Sequence, residues 1–283
     1  MLPAIFGLSG LTLTAEEVEL IRRVDPLGFI LFARNIENPQ QVKLLTDALK
    51  HHTGRDNLPI LIDQEGGRVA RLGPPHWRTW PPALEFAHVY AQSPERGRAA
   101  VVCNYQALAL DLAALGISVN CAPVLDVPEP GAHDIIGDRA FGSEPQVVAE
   151  LGAALLEGFA KAGVVGVIKH IPGHGRALAD SHEALPRVTV SAEALSRDLA
   201  PFKALANAPM AMTAHIVYDA WDDQRCATLS PAVIREVIRE QIGFDGLLMT
   251  DDLDMKALEG PVPLSGCQSL AAGCDVVLNC WGR

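Results

Sequence analysis

Short apolar runs alternate along the whole chain with longer segments in which apolar residues recur at helical spacing. Eight apolar runs have the length of β-strands, at 4–10, 28–35, 59–66, 118–127, 164–170, 209–219, 246–253 and 275–281. Helical periodicity is found between them, at about 14–26, 38–52, 95–116, 144–163, 191–206 and 230–242. The pattern therefore predicts repeated strand–helix units.

The strand runs are apolar along most of their length, which is typical of parallel strands covered on both faces. Eight such units in 283 residues predict an α/β protein with a (β/α)8 TIM-type barrel, forming a single domain over residues 1–283. A doubly wound open sheet is the alternative. Against it, no GxGxxG follows the first strand, and polar clusters follow nearly every strand instead of gathering at one switch point.

Capping residues support these boundaries. Thr14 and Ser191 are expected to begin helices, because each is followed by glutamate in the first turn. Gly116, Gly163 and Gly243 stand where helices should end.

The C-terminal part departs from this pattern. The segment 259–273 is short and interrupted by proline and glycine for a full helix, and the chain stops at Arg283 soon after the eighth strand. We therefore expect the helix after that strand to be absent. Either the chain is shortened, or a partner subunit covers this side of the barrel, as in a homo-oligomer.

Composition narrows the class of protein. With 23 Lys and Arg residues against 34 Asp and Glu residues, the formal charge is −11, and the basic residues are scattered, so a nucleic-acid partner is not expected. No run approaches the roughly 18 apolar residues that span a bilayer, and the N-terminus lacks the basic region of a signal peptide. Six cysteines without a CxxC pair resemble reduced core thiols. We expect a cytoplasmic protein with no membrane partner.

Polar residues concentrate at the predicted carboxyl ends of the strands, where barrel enzymes carry their chemistry. They are Asp63, Glu65, Arg68, Asp126, Lys169, His170, His215, Asp251 and Asp252. Charged residues also mark the places where strands reach the surface, but this does not explain Lys169 and His170 directly on an apolar strand.

The segment KHIPGHGRALADSHEAL, residues 169–185, carries three histidines and an aspartate. A zinc site is one interpretation, since His170 and His174 have the spacing of a helical metal pair. Pro172, Gly173 and Gly175 forbid that helix, so no metal is expected.

Acid–base chemistry is the second interpretation. Asp180 and His182 are two residues apart, so their side chains emerge on one side of an extended segment, where the carboxylate can orient the imidazole. Asp251 offers a carboxylate nucleophile at a strand end. A nucleophile with an acid–base group is what retaining glycoside hydrolysis requires, although the second group is usually a carboxylic acid. A surface Asp–His pair without function is the alternative.

Several motifs together resemble one enzyme family. They are KHIPGHG followed by DSH, DQEGGRVAR, IGDRAFG, MTAHIVYDAWD with ATLSP, and MTDDLDM. In this order they resemble the glycoside hydrolase family 3 β-N-acetylglucosaminidases of the NagZ type, over about residues 4–280. The resemblance implies a barrel enzyme, without cofactor, that removes terminal non-reducing GlcNAc with retention. Its substrates would be cytoplasmic muropeptides such as GlcNAc-1,6-anhydroMurNAc-peptides, in peptidoglycan recycling.

The resemblance also implies roles for individual residues. Asp251 is similar to the nucleophile, His182 to the acid–base group and Asp180 to its orienting partner. Five further residues resemble those that hold the sugar hydroxyls: Asp63, Arg71, Arg139, Lys169 and His170. We expect Asp252 to hydrogen-bond backbone or substrate, and His174 to shape its loop.

Gly173 and Gly175 would allow the loop that carries DSH to move as a lid, or would merely make a turn. Three rival functions stay open at this point: a β-N-acetylglucosaminide phosphorylase with the same Asp251 and His182, a family 3 β-glucosidase, and a non-catalytic sugar-binding protein. A glucosidase of this family usually takes its acid–base glutamate from a second domain.

Overall fold

Eight parallel strands close into a barrel in the computed structural model, which describes residues 1–177 and 185–281. Each strand pairs with its neighbours in chain order, and the last pairs with the first, where Ile5 lies opposite Leu278. The strands are β1 (Leu2–Gly7), β2 (Pro26–Leu31), β3 (Ile60–Ile62), β4 (Val119–Asn120), β5 (Val165–Ile171), β6 (Met210–Thr213), β7 (Leu247–Asp252) and β8 (Val276–Asn279). The predicted (β/α)8 architecture is confirmed.

Helices connect the strands on the outside of the barrel. They are α1 (Ala15–Val24), α2 (Pro39–Thr53), α3 (Ala83–Gln92), α4 (Pro94–Ala114), α5 (Pro145–Lys161), α6 (Ala192–Ala204), a π-helical segment (Val233–Ile242) and α7 (Val262–Ala272). Helix α3 is an addition to the sequence-based prediction. Outside the barrel, Arg187–Val188 and Val217–Tyr218 pair as a short second sheet.

Helix α7 corrects the expectation that segment 259–273 is too broken for a helix. Pro263 lies in the first turn, where a missing N–H costs no hydrogen bond, and Gly273 ends the helix in the left-handed conformation (φ 117°). The predicted caps are confirmed at the other helices. Thr14 forms a capping box with Glu17, and Gly243 ends its helix with φ 81°.

Two apolar layers hold the barrel together. The interior is filled by residues from all eight strands or their ends: Ile5, Ile30, Leu61, Val119, Cys121, Val167, Met212, Met249, Val276, Leu278 and Cys280. A larger cluster fills the space between the strands and the helices. The barrel interior is therefore a packed apolar core, and the polar side chains lie at the carboxyl ends of the strands.

One side of the barrel carries an open groove. No helix follows β8 in the described part of the chain, and a groove of about 600 Å³ lies between β1, α1 and the end of β8. Its apolar lining consists of Phe6, Leu8, Leu20, Ile21, Val24, Phe29 and Trp281. Self-association through this side stays a prediction.

Over residues 1–177 and 185–281, none of the helices combines the length and the hydropathy needed to cross a bilayer.

Candidate active site

A cavity of about 200 Å³ opens at the carboxyl ends of the barrel strands. Six of the predicted site residues line it: Asp63, Arg71, Arg139, Lys169, His170 and Asp251. They come from β3, β5, β7 and two loops, so the fold brings together residues that are far apart in the chain. The other two predicted residues, Asp180 and His182, lie outside the described residues.

Five charged side chains form a row of alternating sign along one wall of the cavity. Arg71 lies 3.3 Å from Asp63, and the Lys169 ammonium lies 2.9 Å from Asp63 and 2.7 Å from Glu65. Arg139 closes the row with two parallel hydrogen bonds of 2.8 Å to Glu65. We call these five residues the charged row. It presents both donors and acceptors, which suits the vicinal hydroxyls of a sugar.

Ion pairing keeps Asp63, Glu65 and Lys169 ionised despite their burial. Burial raises the pKa of Asp63, but Lys169 and Arg71 outweigh it, so the pKa lies below its usual value. The same holds for Glu65 with Lys169 and Arg139. Burial lowers the pKa of Lys169, but the two carboxylates outweigh it and raise the pKa above its usual value. Neutralising any one member would therefore disturb its neighbours.

Asp251 stands at the end of β7, on the cavity wall. Its Oδ1 accepts a hydrogen bond of 2.8 Å from the backbone N–H of Asp252. Burial raises the pKa of Asp251, but His170, His215 and this hydrogen bond together bring it below the usual value. The residue is thus held as a carboxylate on a rigid strand, the state that a nucleophile needs.

The neighbouring Asp252 has a structural environment. Its Oδ1 accepts from the backbone N–H groups of Cys280, at 2.9 Å, and Asp254, at 3.2 Å, as expected for a carboxylate that caps backbone. His215 donates from Nε2 to the main-chain oxygen of Asp252 at 3.0 Å, and its Nδ1 lies 2.7 Å from the Thr228 hydroxyl. These contacts fix the backbone that carries Asp251.

Asp126 orients the histidines of β5 and the following loop. Its Oδ2 lies 2.7 Å from Nδ1 of His170, and its Oδ1 accepts from the backbone N–H groups of His170 and His174. Because a carboxylate only accepts, Nδ1 of His170 carries the hydrogen and Nε2 remains for substrate. Asp126 is fully buried, and burial raises its pKa, but the two histidines lower it below the usual value.

His174 also lines the cavity, with its ring 5.6 Å from that of His170. Burial and the neighbouring His170 lower the pKa of His174 to about 4. It is therefore neutral near pH 7. The prediction that His174 shapes its loop agrees with its backbone bond to Asp126, and the structure adds that it forms part of the cavity wall.

Gly173 and Gly175 lie in a tightly packed part of the same loop. Gly173 has φ +138°, and its carbonyl oxygen accepts from the Tyr218 hydroxyl at 2.7 Å. A Cβ at Gly175 would lie 1.9 Å from the carbonyl oxygen of Val127. The positive φ of Gly173 and the close packing around Gly175 therefore explain why both positions are glycine. Movement of the loop 171–182 as a lid stays a prediction.

Apolar residues also line the cavity, and some of them contact the charged row. Ile135 and Ile136 line the cavity, and their loop is gathered around the Arg68 guanidinium, which donates to both of their carbonyl oxygens at 3.0 and 3.1 Å. The other apolar lining residues are Phe32, Val69, Met212, Met255, Leu278 and Cys280. A cavity lined by both charged and apolar side chains suits a ring that carries hydroxyls at its edge.

A metal site requires several donor side chains gathered in one place. Over residues 1–177 and 185–281, no three His, Cys, Asp or Glu side chains are grouped as a metal site would require.

Comparison with known proteins identifies the family. Residues 7–283 match the family described as glycosyl hydrolase family 3 N terminal domain. The chain belongs to glycoside hydrolase family 3. A beta-hexosaminidase from Alkalilimnicola ehrlichii is 41% identical over 283 residues, which cover 98% of this chain and 80% of that protein. A beta-hexosaminidase from Pseudomonas aeruginosa is 38% identical, with 99% of this chain and 82% of that protein covered.

Solved structures agree with this placement of the family 3 chain. NagZ from Neisseria gonorrhoeae in complex with N-trifluoroacetyl-D-glucosamine superposes with a TM-score of 0.90 at 35% identity, covering 99% of this chain and 81% of that one. The resemblance drawn from the motifs is thus confirmed, and the chain is a glycoside hydrolase. The roles of its individual residues stay predictions.

Sequence reasoning placed Glu65 and Asp126 at strand ends but did not include them among the site residues of this family 3 enzyme. The signal for Glu65 was available. It is two residues from Asp63, so both side chains emerge on one side of an extended segment. Asp126 gave no such signal, because its partners lie 44 and 48 residues further along the chain.

Proposed function

We propose that the protein is a retaining exo-β-N-acetylglucosaminidase that removes terminal non-reducing GlcNAc from peptidoglycan fragments such as GlcNAc-1,6-anhydroMurNAc-peptides. The observation that carries the proposal is the ionised Asp251 on the wall of a cavity shared with the charged row. The beta-hexosaminidase relatives support the choice of sugar.

In the proposed mechanism, Asp251 attacks the anomeric carbon while the glycosidic C–O bond breaks. His182 gives its proton to the departing oxygen, and a covalent glycosyl ester forms on Asp251. A water molecule then attacks the same carbon, His182 takes the proton of that water, and Asp251 leaves as a carboxylate. Two inversions give net retention. Asp180 orients the imidazole of His182 and stabilises its charged form.

The proposed compartment is the cytoplasm, where peptidoglycan fragments are recycled. The six cysteines are free thiols, the usual state in a reducing compartment. The net charge of −11 and the scattered basic residues give no support to a polyanionic partner.

Hydrolysis of a chromogenic N-acetyl-β-glucosaminide tests the proposal. The wild-type protein should release the aglycone and, at first, the β-anomer of GlcNAc. Asp251→Asn keeps the shape of the side chain but removes its charge, and should lower kcat by about 10⁴-fold or more. Asp245→Asn is the matched control, because Asp245 is exposed and outside the cavity. Loss of activity in the control alone, or full activity in Asp251→Asn, would contradict the assignment.

Two further measurements separate the rival functions. Reaction in phosphate buffer should give free GlcNAc, and a sugar 1-phosphate would show a phosphorylase. A 2-deoxy-2-fluoro glycoside should form a covalent adduct on Asp251, which a non-catalytic sugar-binding protein would not form. Removing His182 should reduce the rate more than removing Asp180, since Asp180 acts only through the imidazole.

A further inference from the structure

Glu65 lies between Lys169 and Arg139 in the charged row, although it is not among the residues predicted to contact the sugar. Its side chain is 6% exposed, against 16% for Asp63 in the same row. Its carboxylate oxygens receive three hydrogen bonds or ion-pair contacts, two at Oε1 and one at Oε2. Glu65 thus has little capacity left for a substrate hydroxyl.

The contacts of Glu65 fix the geometry of its two cationic neighbours. Oε1 lies 2.7 Å from Nζ of Lys169 and accepts from Nη2 of Arg139 at 2.8 Å, while Oε2 accepts from Nε of Arg139 at 2.8 Å. A paired contact of this kind holds the guanidinium in one plane. The Arg139 plane and the position of the Lys169 ammonium are therefore both set by one carboxylate.

The backbone of Glu65 is itself anchored. Its N–H donates to the carbonyl oxygen of Val69 at 2.9 Å, and its carbonyl oxygen accepts from the buried Tyr105 hydroxyl at 3.1 Å. A carboxylate on a fixed backbone can hold flexible lysine and arginine side chains in place. Long, flexible side chains are less suited to holding a carboxylate in place.

We propose that Glu65 is a positioning residue, which directs Lys169 and Arg139 toward hydroxyl groups of the bound sugar and acts through them without contacting the sugar. This inference rests on the proposed function, because it assigns a purpose to the charged row in glycoside binding. It also explains why two cations lie within hydrogen-bond distance of a carboxylate that is nearly closed to solvent.

Charge, as well as shape, is needed in this position. Glutamine has one acceptor oxygen and one NH₂ group. In Glu65→Gln, the NH₂ group would face either Lys169 or Arg139, so at least one cation would lose its acceptor and turn away. The effect should be confined to those substrate hydroxyls that the two cations bind.

Paired changes in enzyme and substrate test this inference. The substrates are an aryl N-acetyl-β-glucosaminide and its 3-deoxy, 4-deoxy and 6-deoxy analogues, measured by kcat/KM. In the wild type, removing a hydroxyl bound by a charged donor should lower kcat/KM by about 10- to 100-fold. In Glu65→Gln, the same removal should lower it less than about threefold, because the donor is already misplaced.

Glu157→Gln is the matched control. Glu157 also accepts from one arginine and one lysine, Arg98 at 2.5 Å and Lys161 at 2.8 Å, but on the surface outside the cavity. This variant should keep the wild-type pattern over all four substrates.

The outcomes separate the possible failures. If Glu65→Gln lowers kcat/KM by the same factor on all four substrates, the residue has only a structural role and the inference is wrong. If Glu65→Gln does not fold, Glu65→Asp provides the same comparison, and a uniform loss there is equally decisive. If the wild type cleaves none of the glucosaminides, the proposed function fails instead.

Discussion

Lys169→Met removes the ammonium from the middle of the charged row, and its cost can be worked from the distances. At an effective dielectric constant of about 20, contacts of 2.9 Å to Asp63 and 2.7 Å to Glu65 are each worth about 6 kcal/mol of attraction, before desolvation. Breaking a buried ion pair costs about 3–5 kcal/mol. Because Asp63 keeps Arg71 and Glu65 keeps Arg139, we expect about 3 kcal/mol.

The loss of stability in Lys169→Met should depend on pH. Burial raises the pKa values of Asp63 and Glu65, but ion pairing lowers both overall, so their stabilising contribution exists above the unfolded pKa and is lost as pH falls. Without Lys169 both pKa values rise, and protonation then relieves the penalty. The difference from wild type should be smaller at pH 4 than at pH 7, by about 1 kcal/mol or more.

Urea unfolding at the two pH values measures this difference. Lys161→Met is the control, because Lys161 forms a surface pair with Glu157 at 2.8 Å and is 47% exposed. That change should cost less than about 0.5 kcal/mol. A loss below about 1 kcal/mol at pH 7 for Lys169→Met, or an equal loss at both pH values, would refute the account of the charged row.

Two other predictions concern the loop and the nucleophile. Gly175→Ala should destabilise the protein by about 1–3 kcal/mol in urea unfolding and lower kcat, because its Cβ would lie 1.9 Å from a backbone oxygen. Gly10→Ala, with nothing within 4 Å, should be neutral, and equal effects would contradict the close-packing argument. Burial raises the pKa of Asp251, but His170 and His215 outweigh burial, so the pKa lies below its usual value. Because Asp251 is then already ionised at pH 5, the pH profile of kcat/KM should show no acid limb above about pH 5. An acid limb centred at pH 5–6 in the wild-type profile of kcat/KM would contradict the account of Asp251 as a group held ionised.

The arrangement of strands and helices was predictable because the local hydrophobic pattern indicates each strand and each helix. Apolar runs without alternation indicate strands covered on both faces, and each of the eight predicted runs overlaps a barrel strand. Strand lengths were not predictable in this way. Residues 118–127 predict a long strand, yet β4 has two residues, because the Asn120 side chain replaces the backbone ladder and bonds both the N–H and the carbonyl oxygen of Gln64.

The candidate site was predictable in its location and only partly in its members. Strand-end position and motif resemblance found the residues of the cavity wall, since both are properties of the sequence itself. The partner of each charge was not readable, because Asp63 and Lys169 are 106 residues apart. Asp126 is the clearest case. Its fully buried carboxylate is explained only when the fold brings two histidines of another strand and loop to it.

The charged row has a consequence for the nucleophile beside it. Three cations and two anions alternate at distances of 2.7–3.3 Å, so their electrostatic fields largely cancel within the row. Burial raises the pKa of Asp251, and His170 and His215 lower it by more. Lys169 adds a smaller lowering of the same pKa, because its positive charge is not fully cancelled within the row. If the proposed roles hold, the alternation of sign leaves charged donors available to sugar hydroxyls, while Asp251 stays ionised beside them.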